Sequence, residues 1–335
     1  MHWRIPLIIA LLATGCDGGP TDVPVPIAAG VLVVTTDYET GSFAVIDPDS
    51  LESFHSGVML HKDAVCRTDP LFPFAFVIER LGADAVAVLD PGNGWRIAAE
   101  YSVGAGAGEV DLRPFADDDG NPEAGGLATR GDRAFVLLQR LDRDGGFAPA
   151  DRGLIVPLTL EGDVEQAILL SGANPAVRPR YQTALERFVI VESGHFTVMQ
   201  DEVLPDGGVE LFDLTTGTLS GFVITAQALG GDIVDAVIAS AQTGFAIIGV
   251  REGDVPTTRL VPFDPVAGTA GPALIVSPAW DLVSLELTPD NRELWVADRN
   301  FSAPGVRVFD VESKGERTVA PIDTGLPPFM ICFFP

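Results

Sequence analysis

The sequence is poor in the residues that most catalytic and membrane-spanning proteins depend on. Three cysteines in 335 residues exclude a disulfide-dense miniature. Four histidines are present, and neither His55 nor His61 has companion ligands at zinc spacing. No phosphate-cradling Gly-Lys-Ser/Thr loop occurs, and no Gly-x-Ser-x-Gly. Ser193-Gly194-His195 shows no nucleophile turn around its serine. Only 21 Lys and Arg stand against 47 Asp and Glu, giving a net charge of −26 and a pI near 4.3. An acidic chain of this kind repels polyanions, so nucleic acid is excluded as a partner. Aromatics make up 8%, but 47% of residues are hydrophobic, which excludes disorder and provides for a large core.

What is present begins with an address. Met1 to Arg4 carry one positive charge, Ile5 to Leu12 are apolar, and Ala13, Thr14 and Gly15 lead into Cys16. This is a signal-peptide layout, and its apolar run is far short of the ~20 residues that span a bilayer. The small residues before Cys16 resemble the bacterial lipobox. That resemblance implies cleavage ahead of Cys16 and acylation of it. An ordinary secretory signal with an incidental Cys is the plainer alternative. The lipobox reading divides the chain into a signal peptide over 1–15, a lipidated Cys and Pro-rich tether over 16–29, and a folded domain over 30–335. Each buried acyl CH₂ contributes ~0.8 kcal/mol, so the protein is expected to be lipid-anchored in the bacterial cell envelope, facing the periplasm or exterior.

The folded part repeats. Short β-branched and aromatic runs alternate with Gly, Pro, Asn and Asp clusters, the pattern of an all-β protein. A strand ending in Asp and a turn recurs at Asp47, Asp90, Asp213, Asp264 and Asp310. A degenerate copy over 154–159 stands between the second and third, with an insertion at about Gly104 to Glu123. A period in the forties is that of one four-stranded blade of a β-propeller. Six units carry a strand upstream of the Asp strand, and five have another before that. The first unit lacks its innermost strand, while the C-terminus has one spare over 329–333. Six blades are therefore favoured over seven, with the C-terminal strand joining the first blade to close the ring.

On this alignment Cys66 and Cys332 occupy innermost strands of adjacent blades, and with Cys16 lipidated they are the remaining pair. A disulfide would latch the beginning of the domain to its end. The alternative is two buried thiols.

The segment from Arg80 to Pro91 and its sister segments resemble the YVTN-type propeller repeat of bacterial envelope proteins, over most of residues 31 to 333. Pro114 to Glu123 and Phe135 to Asp142 are similar to segments of poorly characterised bacterial lipoprotein propellers. The resemblance implies a binding or scaffolding platform. Such proteins often have seven blades, and a blade near Gly104 to Arg113 is missing here.

Two clusters suggest chemistry. Asp117, Asp119 and Glu123, beside the Gly120 turn, could hold calcium through oxygens, although an exposed acidic loop is the simpler account and no EF-hand register fits. Arg80, Arg140, Arg251 and Arg299 share one repeat column and could ring the channel mouth to bind an anion. Glu79, Glu192 and Asp298 precede three of the repeat units' column positions, so pairing between blades is the simpler account. The favoured function is a non-catalytic platform that binds an envelope protein, peptide or glycan through loops on one face, the 104–123 insertion foremost, with no cofactor. The competing function is a metal-dependent hydrolase or lactonase, which needs inward acids converging at the channel, and Asp63, Asp235 and Glu286 lie in or just before inner strands.

Overall fold

The computed structural model describes residues 30–334 except 69–73, 80–84, 103–111, 117–119, 121, 131–132, 143–144, 147, 160–162, 176–177, 197–204 and 253–254. The leader, Cys16, the tether, Arg80, Asp117 and Asp119 lie outside the described residues.

The repeats fold as antiparallel sheets of three to five strands. Blade 1 contains Gly30–Thr36, Gly41–Ile46 and Ser53–His55, with Pro328–Phe334 as its innermost strand. Blade 2 contains Ala64–Thr68, Ala75–Glu79, Ala85–Asp90 and Arg96–Ser102, and blade 3 Ala124–Arg130, Arg133–Leu138, Leu154–Thr159 and Ile168–Leu169. Blade 4 contains Arg180–Gln182, Arg187–Glu192, Gly208–Asp213 and Thr218–Thr225. Blade 5 contains Asp232–Ser240, Thr243–Glu252 and Val255–Asp264, and its outer edge is shared by Thr269–Ala270 and Ile275–Pro278. Blade 6 contains Leu282–Leu287, Glu293–Asp298 and Gly305–Asp310, edged by bridges from Val306 to Ile322 and Phe309 to Glu316. The molecule is a six-bladed β-propeller, so the seven-bladed alternative does not hold. The connection between blades 2 and 3 places Leu112 and Phe115 against the face of blade 3.

The hydrophobic core is divided among the seams. Alternation along each strand sends one set of side chains to the preceding blade and the other to the next. Val189, Val191 and Val209 of blade 4 meet Ile238, Ala246 and Ile248 of blade 5. Phe245 and Ile247 of blade 5 meet Leu285 and Val296 of blade 6, while Phe135 and Leu137 of blade 3 meet Phe188 and Ile190 of blade 4. The C-terminal strand closes the ring in the first blade as expected, with Leu32 opposite Cys332 and Val34 opposite Met330. Cys66 and Cys332 form a disulfide with Cα atoms 6.2 Å apart, within the span that the bond permits.

The recurring Asp has a local task. Asp213 Oδ1 accepts from the amides of Thr215 and Thr216 at 2.9 and 3.1 Å, and Asp264 Oδ1 from those of Val266 and Ala267 at 2.8 and 3.0 Å. Each closes the turn to the outermost strand. In the degenerate copy Thr159 substitutes, its Oγ1 accepting from the Asp163 amide at 3.2 Å. Because neighbouring strands are antiparallel, the connections alternate between two ends of the ring. Blade-to-blade connections and the hairpins between second and third strands share one end, here the upper face. The remaining turns, including those led by Asp, form the lower face.

Candidate functional site: a ring of charges on the axis

Inner strands line the propeller axis, so their register decides which side chains meet there. Three residues back from Glu79, Glu192, Val250 and Asp298 along the second strands stand Phe76, Val189, Ile247 and Trp295. Their partners on the inner strands are Arg67, Arg180, Asp235 and Glu286. Four blades thus place a charged residue at one level.

The charges engage one another across the seams. Arg180 forks onto Asp235, with Nη1 to Oδ1 at 2.7 Å and Nη2 to Oδ2 at 2.9 Å. It also donates from Nε to Glu286 at 3.3 Å and from Nη2 to the Leu285 carbonyl at 2.8 Å. Asp235 in turn accepts from the amides of Leu285 and Ala236, each at 2.8 Å. Arg178, in the connection entering blade 4, donates to Glu286, to the Ile331 carbonyl at 3.1 Å and to Cys332 Sγ at 3.0 Å. Gly126 makes room for this connection, since a Cβ there would lie 2.8 Å from the Arg178 Cα. Burial pulls the Arg180 guanidinium down, but Asp235 and Glu286 more than offset it and hold it above its ordinary value. Such a bidentate pair, with its remaining lone pairs filled, offsets the cost of desolvation.

Asp235 and Glu286 therefore do converge at the axis, each on an arginine. Asp63 lies outside the ring, ahead of the Ala64 register position. Arg67, Arg178 and Arg180 were missed by sequence reasoning; counting hairpin register back from the acidic column would have found Arg67 and Arg180.

The column of arginines lies at the upper face. Arg140 Nη1 donates to Asp151 at 3.0 Å and to the Arg152 carbonyl at 3.2 Å. Arg299 reaches across the closure seam to the carbonyls of Thr36 at 3.0 Å and Pro328 at 3.3 Å, under the Tyr38 ring at 4.4 Å. Arg251 is exposed and engaged. Of the calcium candidates only Glu123 is described, and its Oε2 accepts from the Leu141 amide at 3.0 Å. Among the described residues, no three His, Cys, Asp or Glu side chains are grouped as a metal site requires. His195 Nδ1 meets Asp206 at 2.7 Å, while the buried Ser193 Oγ has no hydrogen-bond partner among the described residues. The serine-to-histidine hydrogen bond of a hydrolase is thus missing.

The acids preceding the arginine column tie connections down. Glu79 accepts from the His61 amide at 2.6 Å, and Glu192 from the Gly172 amide. Glu192 is fully buried beside Glu210, which accepts from Ser171 N at 3.1 Å and Oγ at 2.6 Å. Burial first, then the hydrogen bond and charge of Glu210, pushes the Glu192 carboxyl up to about 10. The folded state keeps a proton that the unfolded chain releases above its ordinary carboxyl value. Stability from this group is therefore greatest in acid and falls as pH rises toward 10. Urea denaturation from pH 5 to 9 should show wild type losing about 1 kcal/mol per pH unit relative to Glu192→Gln. Parallel slopes would mean that Glu192 is ionised in the fold.

Fold and site together define a six-bladed propeller with salt bridges between its inner strands. No protein-family model and no curated protein matches the chain. Solved structures resemble it at the level of fold. Nidogen, solved in a complex with laminin, aligns with a TM-score of 0.53 at 10% identity, covering 90% of this chain and 97% of that one. TolB of Acinetobacter baumannii aligns at 0.51 and 10%, covering 93% and 68%, and a 6-phosphogluconolactonase-like protein of Bacteroides fragilis at 0.50 and 12%, covering 95% and 100%. These likenesses establish architecture and leave function to the site.

Proposed function

We propose that the chain is a non-catalytic binding platform, held at a bacterial envelope membrane by lipid on Cys16, whose upper face takes a protein, peptide or glycan. The observation that carries this reading is the pairing of both inward carboxylates, Asp235 and Glu286, with Arg180 and Arg178. A metal-dependent hydrolase or lactonase needs unpaired carboxylates turned to one point, and here those groups are already neutralised. The upper face has what binding requires. Tyr38 is 62% exposed and Phe301 99%, both in hairpins of that face, and Phe196 packs edge-on to Trp280 at 6.3 Å in two more of its connections. Aromatic side chains that present an apolar body with little conformational freedom are favoured at recognition surfaces.

The test introduces a photoreactive phenylalanine analogue at Phe301 on the upper face or at Val266 on the lower, in the full chain expressed in a bacterial envelope. Crosslinked adducts are expected from position 301 and not from 266, and Cys16→Ser should release the chain from the membrane fraction. Adducts from 266 alone would place recognition on the other face, and a Cys16→Ser chain that stays with the membrane would remove the lipid anchor.

A further inference from the structure

The seam between blades 3 and 4 opens at the lower face into a cavity of about 590 Å³, within the range that small-molecule sites occupy. Its walls come from both blades. Blade 3 supplies Phe135, Pro157 and Ile168, and blade 4 supplies Phe212 and, from the turn after Asp213, Leu214. The Phe135 and Phe212 rings meet edge-on with centroids 5.9 Å apart, and both belong to the apolar cluster that joins the two blades. Such an aromatic floor favours a flat or branched hydrocarbon group.

The cavity wall also carries two charges of opposite sign. Arg133 Nη2 meets Glu165 Oε1 at 3.0 Å, and the two side chains are 46% and 34% exposed. Strand register sets both beside the floor. Arg133 and Phe135 stand two residues apart on one strand, so they share the face turned to blade 4. The Glu165 amide donates to the Pro157 carbonyl at 2.9 Å, and Pro157 stands opposite Phe135. An exposed pair of this kind adds little to stability. The contact engages one guanidinium nitrogen and one carboxylate oxygen, and the other nitrogens and the other oxygen keep the capacity to meet a ligand.

We propose that this cavity binds a free α-amino acid with a large apolar side chain, its carboxylate on Arg133, its ammonium on Glu165 and its side chain on Phe135, Phe212 and Leu214. Charge decides the class. A simple anion gains Arg133 but is repelled by Glu165 and by a chain of net charge −26, while a simple cation is opposed by Arg133. A zwitterion offers each member of the pair its opposite sign, on groups that are close together as those of the pair are. Its net charge is zero, so the acidic field of the protein does not oppose its approach. The apolar walls select the side chain, since a small one leaves them wet. This site lies on the lower face and depends neither on the lipid anchor nor on the upper-face reading.

Calorimetric titration of the purified full chain at pH 7 tests it, with phenylalanine and leucine against alanine, phenylalaninamide, N-acetylphenylalanine and 2-phenylethanol. Phenylalanine and leucine should bind saturably, and alanine about tenfold more weakly or worse, because it leaves the floor uncovered. Removing the ligand's carboxylate as the amide, or its ammonium as the N-acetyl compound, should weaken binding about threefold to tenfold in each case. The variants locate each contact. Arg133→Gln should bind phenylalanine as weakly as wild type binds the amide, and should lose nothing further when given the amide itself. Glu165→Gln should stand in the same relation to the N-acetyl compound. Both variants should keep the wild-type Tm within about 2 °C, because an exposed pair holds little of the fold. The proposal is overturned if phenylalanine does not saturate, if 2-phenylethanol binds as tightly as phenylalanine, or if either variant discriminates among these ligands as wild type does.

Discussion

Replacing Asp235 with Ala lowers the stability of the propeller by about 3–5 kcal/mol, the cost expected when one partner of a buried ion pair is removed. Asp235 is 2% exposed, and its two oxygens accept from both Nη atoms of Arg180 and from the amides of Leu285 and Ala236. The variant leaves the Leu285 amide without its acceptor and Arg180 with Glu286 as its one anionic partner among the described residues. That glutamate already serves Arg178. The loss is thus mostly the penalty of stranding a desolvated guanidinium and a buried amide, and much less the intrinsic strength of the bridge. The double variant Asp235→Ala with Arg180→Leu should therefore be more stable than Asp235→Ala alone, since the stranded charge is gone. Urea denaturation of these two variants, of Arg180→Leu and of wild type closes the cycle. A single-variant loss below about 1 kcal/mol, or strictly additive effects, would show that water reaches the ring and screens it.

The architecture was legible because it rests on local signals that recur. A β-branched run, an Asp and a turn need no distant information, and six copies fixed the blade count once the spare strand at the C-terminus was set against the strand missing at the start. The 112–115 segment was harder to read. It looked like part of an exposed insertion, yet Leu112 and Phe115 pack on blade 3, where the face turned from blade 4 needs an apolar cover. The site was half legible. Asp235 and Glu286 could be selected as inner-strand acids, but their partner Arg180 opens a strand of only three residues between Pro179 and a turn, too short to display periodicity. The arginine column was found from alignment, but a column gives residue type without direction. Arg299 ends on the carbonyls of Thr36 and Pro328 because the closure seam, which only the folded ring creates, brings them there. Glu79 and Glu192 look alike in the sequence as well. Glu192 alone meets a second carboxyl, and only pairing of the Gly208–Asp213 strand with its own brings Glu210 beside it.

The latch between Cys66 and Cys332 should carry the largest single contribution to stability. The bond encloses a sequence separation of 266 residues, and in the chain-entropy model a loop of that order stabilises the fold by about 5 kcal/mol. Its position adds a second effect. The strand Pro328–Phe334 is held in blade 1 by pairing with Gly30–Thr36, and against blade 2 by Thr68 Oγ1 donating to the Phe333 carbonyl at 2.5 Å and by Phe334 packing edge-on to Trp95 at 5.5 Å. Without the covalent bond the strand is held by these contacts, by Arg178 and Arg299 on its carbonyls and by its packing on blade 6, and a segment held by such contacts opens more readily once its covalent tie is removed. The variant to make is Cys66→Ala with Cys332→Ala, because serine would bury two hydroxyls in an apolar cluster. Guanidinium denaturation should show the double variant less stable by about 5 kcal/mol, and unresponsive to reductant, while wild type falls toward it when reduced. Hydrogen exchange locates the change: amides of 328–334 should lose protection before those of blades 4 and 5, whose seam is packed by a large apolar cluster. If the double variant unfolds within about 1 kcal/mol of wild type, the ring is held shut by strand pairing and seam packing, and the bond is a by-product of their proximity.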